Sequence, residues 1–347
     1  MSATTQNLEA REFAAPKPHA EWRPRHNPWA VALTVTMATF MEVLDTSIAN
    51  VALPHIAGSL SASTDESTWV LTSYLVSNAV ILPMSGWASD LMGRKRFYMT
   101  CVALFGASSL LCGLAPSLPL LILFRVLQGV GGGGLAPSEQ AILADTFEPR
   151  KRGAAFALYG MAVVLAPAIG PTLGGWITDN YNWRWIFFIN VPVAIVSLFL
   201  TDRLVEDPPE LAEKRNSEIK IDYIGLALIG VGLGCLQVVL DKGQSDDWFQ
   251  SDFILAFGVI GIAAILIAII WELFQKDPVV DVRMFKNRNF AIAFVMMVML
   301  GLALFGSTVL IPQYLQTLLG YTAQQAGMAL SPGGLVVMAL KIGRAHV

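Results

Sequence analysis

The sequence predicts an all-α polytopic membrane protein with about ten transmembrane helices. Of its 347 residues, 54% are hydrophobic and only 14% are charged, and the mean hydropathy is +0.57. Soluble domains carry about 25% charged residues. The charges of this chain are also clustered, which leaves apolar windows of the roughly 20 residues that a helix needs to cross a bilayer. This composition excludes an ordinary soluble protein.

Ten apolar segments predict the membrane-spanning helices. They lie at 29–53, 69–90, 97–115, 119–146, 153–178, 185–202, 221–240, 253–274, 290–316 and 322–340. Of the 23 Lys and Arg residues, 18 fall in the N-terminal tail and in every second loop, whereas the loops on the other side hold only Arg184 and Lys242. This asymmetry predicts a multi-pass protein of the cytoplasmic (inner) membrane whose N-terminus lies in the cytoplasm.

Polar segments divide the chain. Residues 1–28 are polar, and no cleavage site follows a short apolar region, so we predict a cytoplasmic N-terminal tail and no signal peptide. The longest polar loop, 203–220, separates a first six-helix bundle at 29–202 from the segments that follow. We predict that this loop is a cytoplasmic linker.

The first predicted helix carries two acids, Glu42 and Asp45, in an otherwise apolar segment. A charged carboxylate at the centre of a membrane costs about 2.5 kcal/mol or more. Residues three apart also project from nearly the same face of a helix. We therefore predict a proton or cation site that faces the interior of a helix bundle. The alternative, chiefly for Glu42, is a carboxylate at a helix end in the lipid headgroup region.

The loop after the second predicted helix reads GWASDLMGRKR, from Gly86 onward. Gly86 and Gly93 allow close backbone approach and a tight turn. The charged residues Asp90, Arg94 and Lys95 have two interpretations. The bases hold the loop on the cytoplasmic side, or Asp90 and Arg94 form a charge latch between helices that move apart.

The fourth predicted helix contains Arg125 and Gln128 on one face, followed by Gly129 and a glycine run at 131–134. An arginine inside a protein stays charged and needs an anionic or carbonyl partner. From the helix rise, Arg125 lies about 9 Å and Asp45 about 12 Å from the same end of the bundle. Their similar depth predicts that the two side chains meet. In the alternative, Arg125 extends to the membrane surface.

The fifth predicted helix combines prolines with small residues in the segment VVLAPAIGPTLGGW. Gly170, Gly174 and Gly175 form a small-residue face that suits close helix packing. Pro167 and Pro171 remove backbone donors and kink the helix. The combination predicts a hinge or a tightly packed seam.

Other classes of protein lack their usual signals. The four histidines, His19, His26, His55 and His346, lie outside the predicted spans, so we predict no metal site and no enzyme. The glycine run at 131–134 lacks the Gly-Lys-Ser/Thr ending of a phosphate-binding loop. Nothing resembles an ion-selectivity filter or a soluble sensor domain. We expect no cofactor other than a proton gradient, and no nucleic-acid partner.

Taken together, these motifs resemble the major facilitator superfamily, and within it the fourteen-helix drug/proton antiporters of the EmrB/QacA type. The segment LDTSIANVALP resembles the first-helix motif of that family, and GWASDLMGRKR resembles its loop motif. The segments RVLQGVGGG and APAIGPTLGG resemble its fourth-helix and fifth-helix motifs, and WRWIFFINVP also matches. Leu91 departs from the loop motif, which often has a base there, so any latch must use the bases at 94–96.

The resemblance implies two six-helix bundles with a substrate cavity between them. This chain would hold the first bundle, two inserted helices at 221–274 and the first two helices of an incomplete second bundle at 275–340. The resemblance also implies that lipophilic or cationic drugs and toxic compounds leave the cell in exchange for protons. Asp45 would then be the carboxylate that is alternately protonated, and Arg125 would set its position and proton affinity. Glu42 would add a second acid to the cavity, and the segment Gly170–Gly175 would resist proton leak.

The end of the chain carries a separate expectation. Residues 341–347 interrupt the apolar pattern abruptly, and Ile-Gly-Arg-Ala-His-Val also matches the translated start of a common sequencing adapter. We expect a non-native tail on an incomplete reading frame that lacks four helices of the family fold. The alternative is a genuine short tail.

Two kinds of exporter share this fold. The alternative to a drug exporter is a dedicated exporter of a single metabolite, such as a siderophore, a lipid or a peptide. In either case, the expected partners are the lipid bilayer, a small-molecule substrate and protons. In a cell with an outer membrane, we also expect a periplasmic adaptor and an outer-membrane channel.

Overall fold

The protein is a bundle of long helices in a computed structural model that describes residues 24–208, 222–275 and 278–321. The helices are α1 (Pro28–Leu60), α2 (Thr64–Met92), α3 (Arg94–Leu114), α4 (Leu118–Gly132), α5 (Leu135–Thr146), α6 (Pro149–Asn180), α7 (Trp185–Phe188), α8 (Asn190–Leu204), α9 (Tyr223–Lys242), α10 (Asp252–Phe274) and α11 (Arg288–Thr317). Two short 3-10 helices occupy Trp248–Gln250 and Val282–Lys286. No strand occurs within these ranges, so the all-α prediction is confirmed.

Seven segments of the described chain are long and apolar enough to cross a membrane. They are Pro28–Leu60, Arg94–Leu114, Leu118–Thr146, Pro149–Asn180, Trp185–Leu204, Tyr223–Lys242 and Asp252–Phe274. Helices α2 and α11 are similar in length, with 29 and 30 residues. Nine of the ten predicted spans therefore correspond to helices. The tenth, at 322–340, lies outside the described residues, as do residues 1–23 of the predicted tail and residues 209–220 of the predicted linker.

Local sequence signals explain where the first helices begin and end. The side chain of Asn27 accepts a hydrogen bond from the Trp29 amide, and Pro28 fits the first position of α1. At the start of α2, Ser63 and Glu66 form a reciprocal capping box. Helix α2 ends at Met92, Gly93 follows with a φ of 87° that suits glycine, and α3 begins at Arg94. The predicted loop is thus a single-residue turn.

Two predicted helices are interrupted. The segment 119–146 breaks after Gly132 into α4 and α5, and the segment 185–202 breaks at Ile189 into α7 and α8. The glycines at the first break also bring helices together. A Cβ on Gly131 would lie 2.7 Å from the Phe105 amide nitrogen, so α4 contacts the backbone of α3 directly.

Helix α6 packs along α1 through two of the three predicted glycines. A Cβ at Gly170 would lie 2.5 Å from Ser47 Cβ, and a Cβ at Gly174 would lie 3.0 Å from Ile48 Cγ2. Gly175 makes no such contact with the described residues, because a Cβ added there would meet none of them within 4 Å; the same is true of Gly86. The helix continues through both prolines from Pro149 to Asn180.

Replacing Gly170 by leucine should therefore separate α6 from α1, whereas the same change at Gly175 should be tolerated. Overpacking a close contact costs typically about 1–3 kcal/mol. We expect Gly170→Leu to lower the unfolding temperature of the detergent-solubilised protein well below that of Gly175→Leu. Both changes gain the same helix propensity. Equal unfolding temperatures for the two variants would contradict the observed seam.

The predicted inserted helices, α9 and α10, pair with each other, and α9 also packs against α2. At one end of this contact, the Lys242 ammonium group donates to the Asp65 carbonyl at 3.3 Å and contacts the Thr68 hydroxyl. The Thr72 hydroxyl contacts the Asp241 carboxylate beside it. Glycines 230 and 234 of α9 lie next to Val80 of α2. The inserted pair therefore packs on the outside of the first bundle at α2.

One prediction about histidine is wrong. Because α1 continues to Leu60, it contains His55, which the sequence places outside the first span. The His55 side chain is 48% exposed and its Nε2 lies 3.9 Å from a carboxylate oxygen of Asp179. It lies near a helix end and away from the buried acids.

Candidate functional site

The centre of the first bundle holds a buried ion pair between Asp45 of α1 and Arg125 of α4. The Arg125 Nη1 group donates to Asp45 Oδ2 at 2.6 Å, and the Arg125 and Asp45 side chains are 0% and 1% exposed. The prediction that residues of similar depth meet is confirmed. The alternative of an arginine at the membrane surface is wrong, because the Arg125 side chain is fully enclosed among α1, α2 and α4.

The rest of the Arg125 guanidinium group is also enclosed by protein. Its Nε donates to the Val70 carbonyl at 3.0 Å, and Nη1 also donates to Gln128 Oε1 at 2.8 Å. The guanidinium carbon lies 4.3 Å from the centre of the Tyr74 ring, so a cation–π contact adds to the ion pair. Arg125 Nη2 has no hydrogen-bond partner within the described part of the chain.

The second oxygen of Asp45 is held by two amides. Gln128 Nε2 donates to Asp45 Oδ1 at 3.1 Å, and Asn190 Nδ2 donates to the same oxygen at 2.6 Å. Asn190 also donates to Ser109 Oγ at 3.0 Å. Sequence reasoning predicted Gln128 but missed Asn190 and Ser109. An asparagine inside the apolar segment WRWIFFINVP was the available signal, since a polar group there needs a partner.

Glycine 129 positions this site. A Cβ at that position would collide with the Ser77 hydroxyl and the Tyr74 carbonyl of α2. The close approach of α4 to α2 is what places the Tyr74 ring against the guanidinium group. Gly129 is therefore a packing residue that orients the neighbours of Arg125.

Glu42 lies beside the ion pair on the same helix. Its Oε1 accepts hydrogen bonds from the Tyr74 hydroxyl at 2.7 Å and from Asn78 Nδ2 at 3.1 Å. The side chain is partly exposed. Since α1 runs from Pro28 to Leu60, Glu42 lies near its middle, and the helix-end alternative is wrong. Tyr74 contacts both Glu42 and Arg125 and so connects the two acids.

The position of the site follows from two apolar clusters along α1. One cluster includes Val31, Val35 and Met41, and the other includes Ile48 and Ile56. Glu42 and Asp45 lie where the clusters meet. Apolar packing on both sides lowers the local dielectric constant, and this strengthens the ion pair of Asp45 and Arg125.

This arrangement suits a charged Asp45. The ionised carboxylate is compensated by one cation and two amide donors, which offsets the cost of burying its charge. The hydrogen bonds of this one side chain join α1, α4 and α8.

A second charged cluster lies at the end of the bundle where α2 meets α3, which we call the basic end. Arg94 forms an ion pair with Asp145 of α5, and Arg94 Nη1 also donates to the Ala141 carbonyl at 3.0 Å. Lys95 Nζ lies 3.4 Å from Asp202 Oδ1 of α8. One of the two interpretations of the sequence pairs Arg94 with Asp90; the structure shows an ion pair of Arg94 with Asp145. The half-buried Asp90 lies near the end of α2.

A double-mutant cycle would measure the Arg94 pair. We expect Arg94→Ala and Asp145→Ala to couple by about 1 kcal/mol in unfolding free energy, because the pair is only partly exposed. The pair Lys95→Ala with Asp145→Ala is the matched control and should be additive. Stronger coupling of Arg94 to Asp90 than to Asp145 would contradict the observed pairing and restore the sequence-based one.

Comparison with known proteins adds independent findings. The Major Facilitator Superfamily profile matches residues 35–345. The chain is 42% identical to the multidrug export protein EmrB of Escherichia coli strain K12 over 316 residues, which covers 90% of this chain and 61% of that protein. It is 43% identical to the fatty acid resistance protein FarB of Neisseria gonorrhoeae over 316 residues, with 90% and 62% covered. The chain therefore spans about three fifths of the length of these relatives.

Solved structures share the architecture. A peptide transporter POT in complex with sulfate matches with a TM-score of 0.55 at 17% identity, over 99% of this chain and 73% of that chain. The xylose transporter XylE from Escherichia coli, in a partially occluded inward-open conformation, matches with a TM-score of 0.51 at 15% identity, over 72% of this chain and 64% of that chain. At these identities the similarity shows the fold alone.

Proposed function

This chain belongs to the major facilitator superfamily, and we propose that the complete protein is a proton-coupled antiporter that exports lipophilic or cationic drugs and toxic compounds across the cytoplasmic membrane. The fold supplies the first helix bundle, the inserted pair α9 and α10, and the start of a second bundle in α11. The relatives named as multidrug export proteins support the proposal that the substrates are drugs.

The observation that carries the proposal is the buried pair of Asp45 and Arg125. An ionisable group inside a membrane bundle is costly and typically marks an ion or proton pathway. We propose that Asp45 is charged while it is paired with Arg125 and becomes neutral when a proton enters. The changed contacts would then favour a different arrangement of α1, α4 and α8, and the bundles would rock around the substrate site.

Glu42 has a separate proposed role at the substrate cavity. It is partly exposed and sits three residues from Asp45, so it can attract a cationic substrate toward the proton site. Substrate and proton would then compete through neighbouring carboxylates. The basic end, with Arg94 paired to Asp145, would hold α3 and α5 together in the conformation seen here.

An exporter of one lipid-like metabolite is the second candidate. It is favoured by the 43% identity to a protein named for fatty acid resistance. The acidic site separates the two candidates, because a fatty acid carries a negative charge that an ionised Glu42 would repel.

Other expected partners follow from cell type: in a cell with an outer membrane, we propose a periplasmic adaptor and an outer-membrane channel.

The test is gradient-driven uptake into proteoliposomes that contain the complete protein and no nucleotide. An imposed pH gradient should drive accumulation of a lipophilic cationic dye, and a proton ionophore should abolish it. A long-chain fatty acid in the same assay tests the second candidate. Dye movement that ignores the pH gradient would contradict proton coupling, and uptake of the fatty acid alone would favour the dedicated exporter.

A further inference from the structure

A third acid, Glu139 of α5, is buried in the same bundle. Its side chain is 0% exposed. The Thr36 hydroxyl of α1 donates to Glu139 Oε1 at 2.6 Å, whereas Glu139 Oε2 has no partner among the residues that the structure describes. Sequence reasoning missed this residue, although an acid inside the predicted span 119–146 was the same signal that drew attention to Asp45.

The described surroundings of Glu139 hold no cation that pairs with it. The ionisable groups that interact with it electrostatically are Glu42 on α1, Tyr98 on α3 and Tyr159 on α6. The polar neighbours from α1 are the hydroxyls of Thr36 and Thr39. No ion pair in the described part of the chain includes Glu139. A carboxylate buried without a cation is costly, so its neutral, proton-carrying form is favoured here.

Glu139 and Asp45 are therefore buried in contrasting environments. Asp45 accepts hydrogen bonds from a guanidinium group and two amides, which suits a carboxylate. Glu139 accepts a hydrogen bond from a hydroxyl on one oxygen, and its other oxygen has no partner among the described residues, which suits a carboxylic acid. Environments that favour opposite protonation states distinguish the proton donor from the proton acceptor in a pair of acids.

The three acids also lie at successive depths. Thr36, which contacts Glu139, precedes Asp45 by nine residues of α1, or about 14 Å along the axis. Glu139 lies six residues, or about 9 Å, from Asp145, whose ion pair with Arg94 marks the basic end. Glu42 lies between them and interacts electrostatically with both other acids. The order from the interior to the basic end is Asp45, Glu42, Glu139.

We propose that Glu139 is a second proton-carrying group, which passes protons between the Asp45 site and the basic end of the bundle. The proposal rests on the proposed proton-coupled transport. In one cycle, the O–H bond of Glu139 breaks and its proton passes to water at the basic end. The O–H bond of protonated Asp45 then breaks, and its proton moves to Glu42, where an O–H bond forms and breaks again, and on to Glu139, where a new O–H bond forms. Asp45 takes up a proton from water on the opposite side, so one proton crosses per cycle and every carboxyl group returns to its starting state.

Two measurements on the complete protein in liposomes test this role. Infrared difference spectra of wild type against Glu139→Gln should show the carbonyl stretch of one protonated carboxyl group that the variant lacks. In the same liposomes, Glu139→Gln should lose substrate-driven proton flux, whereas Glu139→Asp should retain part of it. In Glu139→Gln, the glutamine side chain keeps the size of glutamate and an oxygen that accepts from the Thr36 hydroxyl. A purely structural role of Glu139 would therefore survive this substitution. Asp247→Asn, at an exposed acid, is the matched control.

Each outcome decides between the two proposals. Loss of both the carboxyl signal and the proton flux supports the carrier role. An unchanged infrared spectrum, or wild-type flux in Glu139→Gln, would overturn that role while leaving the coupling by Asp45 intact. Absence of substrate-driven flux in the wild-type protein would overturn the proposed function, and this inference with it.

Discussion

Asp45→Asn in the complete protein is expected to abolish proton-driven export. Asparagine is similar in size, and its one amide oxygen can still accept a hydrogen bond from either Arg125 or Asn190, but it cannot gain or lose a proton. The Arg125 guanidinium group keeps the Val70 carbonyl, the Gln128 amide oxygen and the Tyr74 ring as partners. We therefore expect folded protein in the membrane at close to the wild-type amount. The measurement is drug accumulation in energised cells, normalised to that amount.

The control for this prediction is Asp247→Asn, which removes the same charge from an exposed position that already has φ of 54°. Asparagine tolerates that left-handed conformation. The control should export at the wild-type rate. Wild-type export by Asp45→Asn would remove this carboxylate from the mechanism.

Arg125→Ala is expected to cause the largest loss of stability. It leaves the Asp45 carboxylate buried without a cation, and breaking a buried ion pair in this way costs about 3–5 kcal/mol. Arg125→Lys keeps a charge, but an ammonium group cannot replace the planar fork that reaches Asp45, Gln128 and Val70 together. We expect the order of unfolding temperatures to be wild type, then Arg125→Lys, then Arg125→Ala.

A matched control separates loss of the pair from loss of any arginine. Arg203 of α8 is exposed and its guanidinium carbon lies 5.2 Å from the Phe199 ring centre. Arg203→Ala should leave the unfolding temperature nearly unchanged. The double variant Asp45→Asn with Arg125→Ala should be more stable than Arg125→Ala alone, because the uncompensated charge is removed. If the double variant were less stable than both single variants, Asp45 would not be the anion that Arg125 stabilises.

Helix positions and the central ion pair could be predicted from the sequence, because they depend on the composition of single segments and on the rise per residue of a helix. Apolar length sets a span, and the helix rise sets the depths of Asp45 and Arg125. The breaks after Gly132 and at Ile189 could not be predicted in the same way, since apolar composition continues across both. At the first break, the backbones of neighbouring helices approach too closely for side chains to fit between them.

The partners that sequence reasoning missed are set by tertiary structure. Asn190 reaches Asp45 across 145 positions of sequence, and Asp145 reaches Arg94 across 51. No local pattern fixes which of several acids pairs with a given base. Gly170 and Gly175 illustrate the same limit, because both have the residue type for close packing and only the rotation of α6 decides which one faces α1. Glu139 differs, since its position inside an apolar span was visible in the sequence.

The most direct test of the central claim is substrate-driven proton movement in proteoliposomes of the complete protein, for wild type and for Asp45→Asn. Adding a lipophilic cationic substrate on one side should move protons to that side in the wild-type vesicles and should move none in the Asp45→Asn vesicles. Equal proton movement in both would contradict the claim that Asp45 is the carboxylate that couples export to the proton gradient.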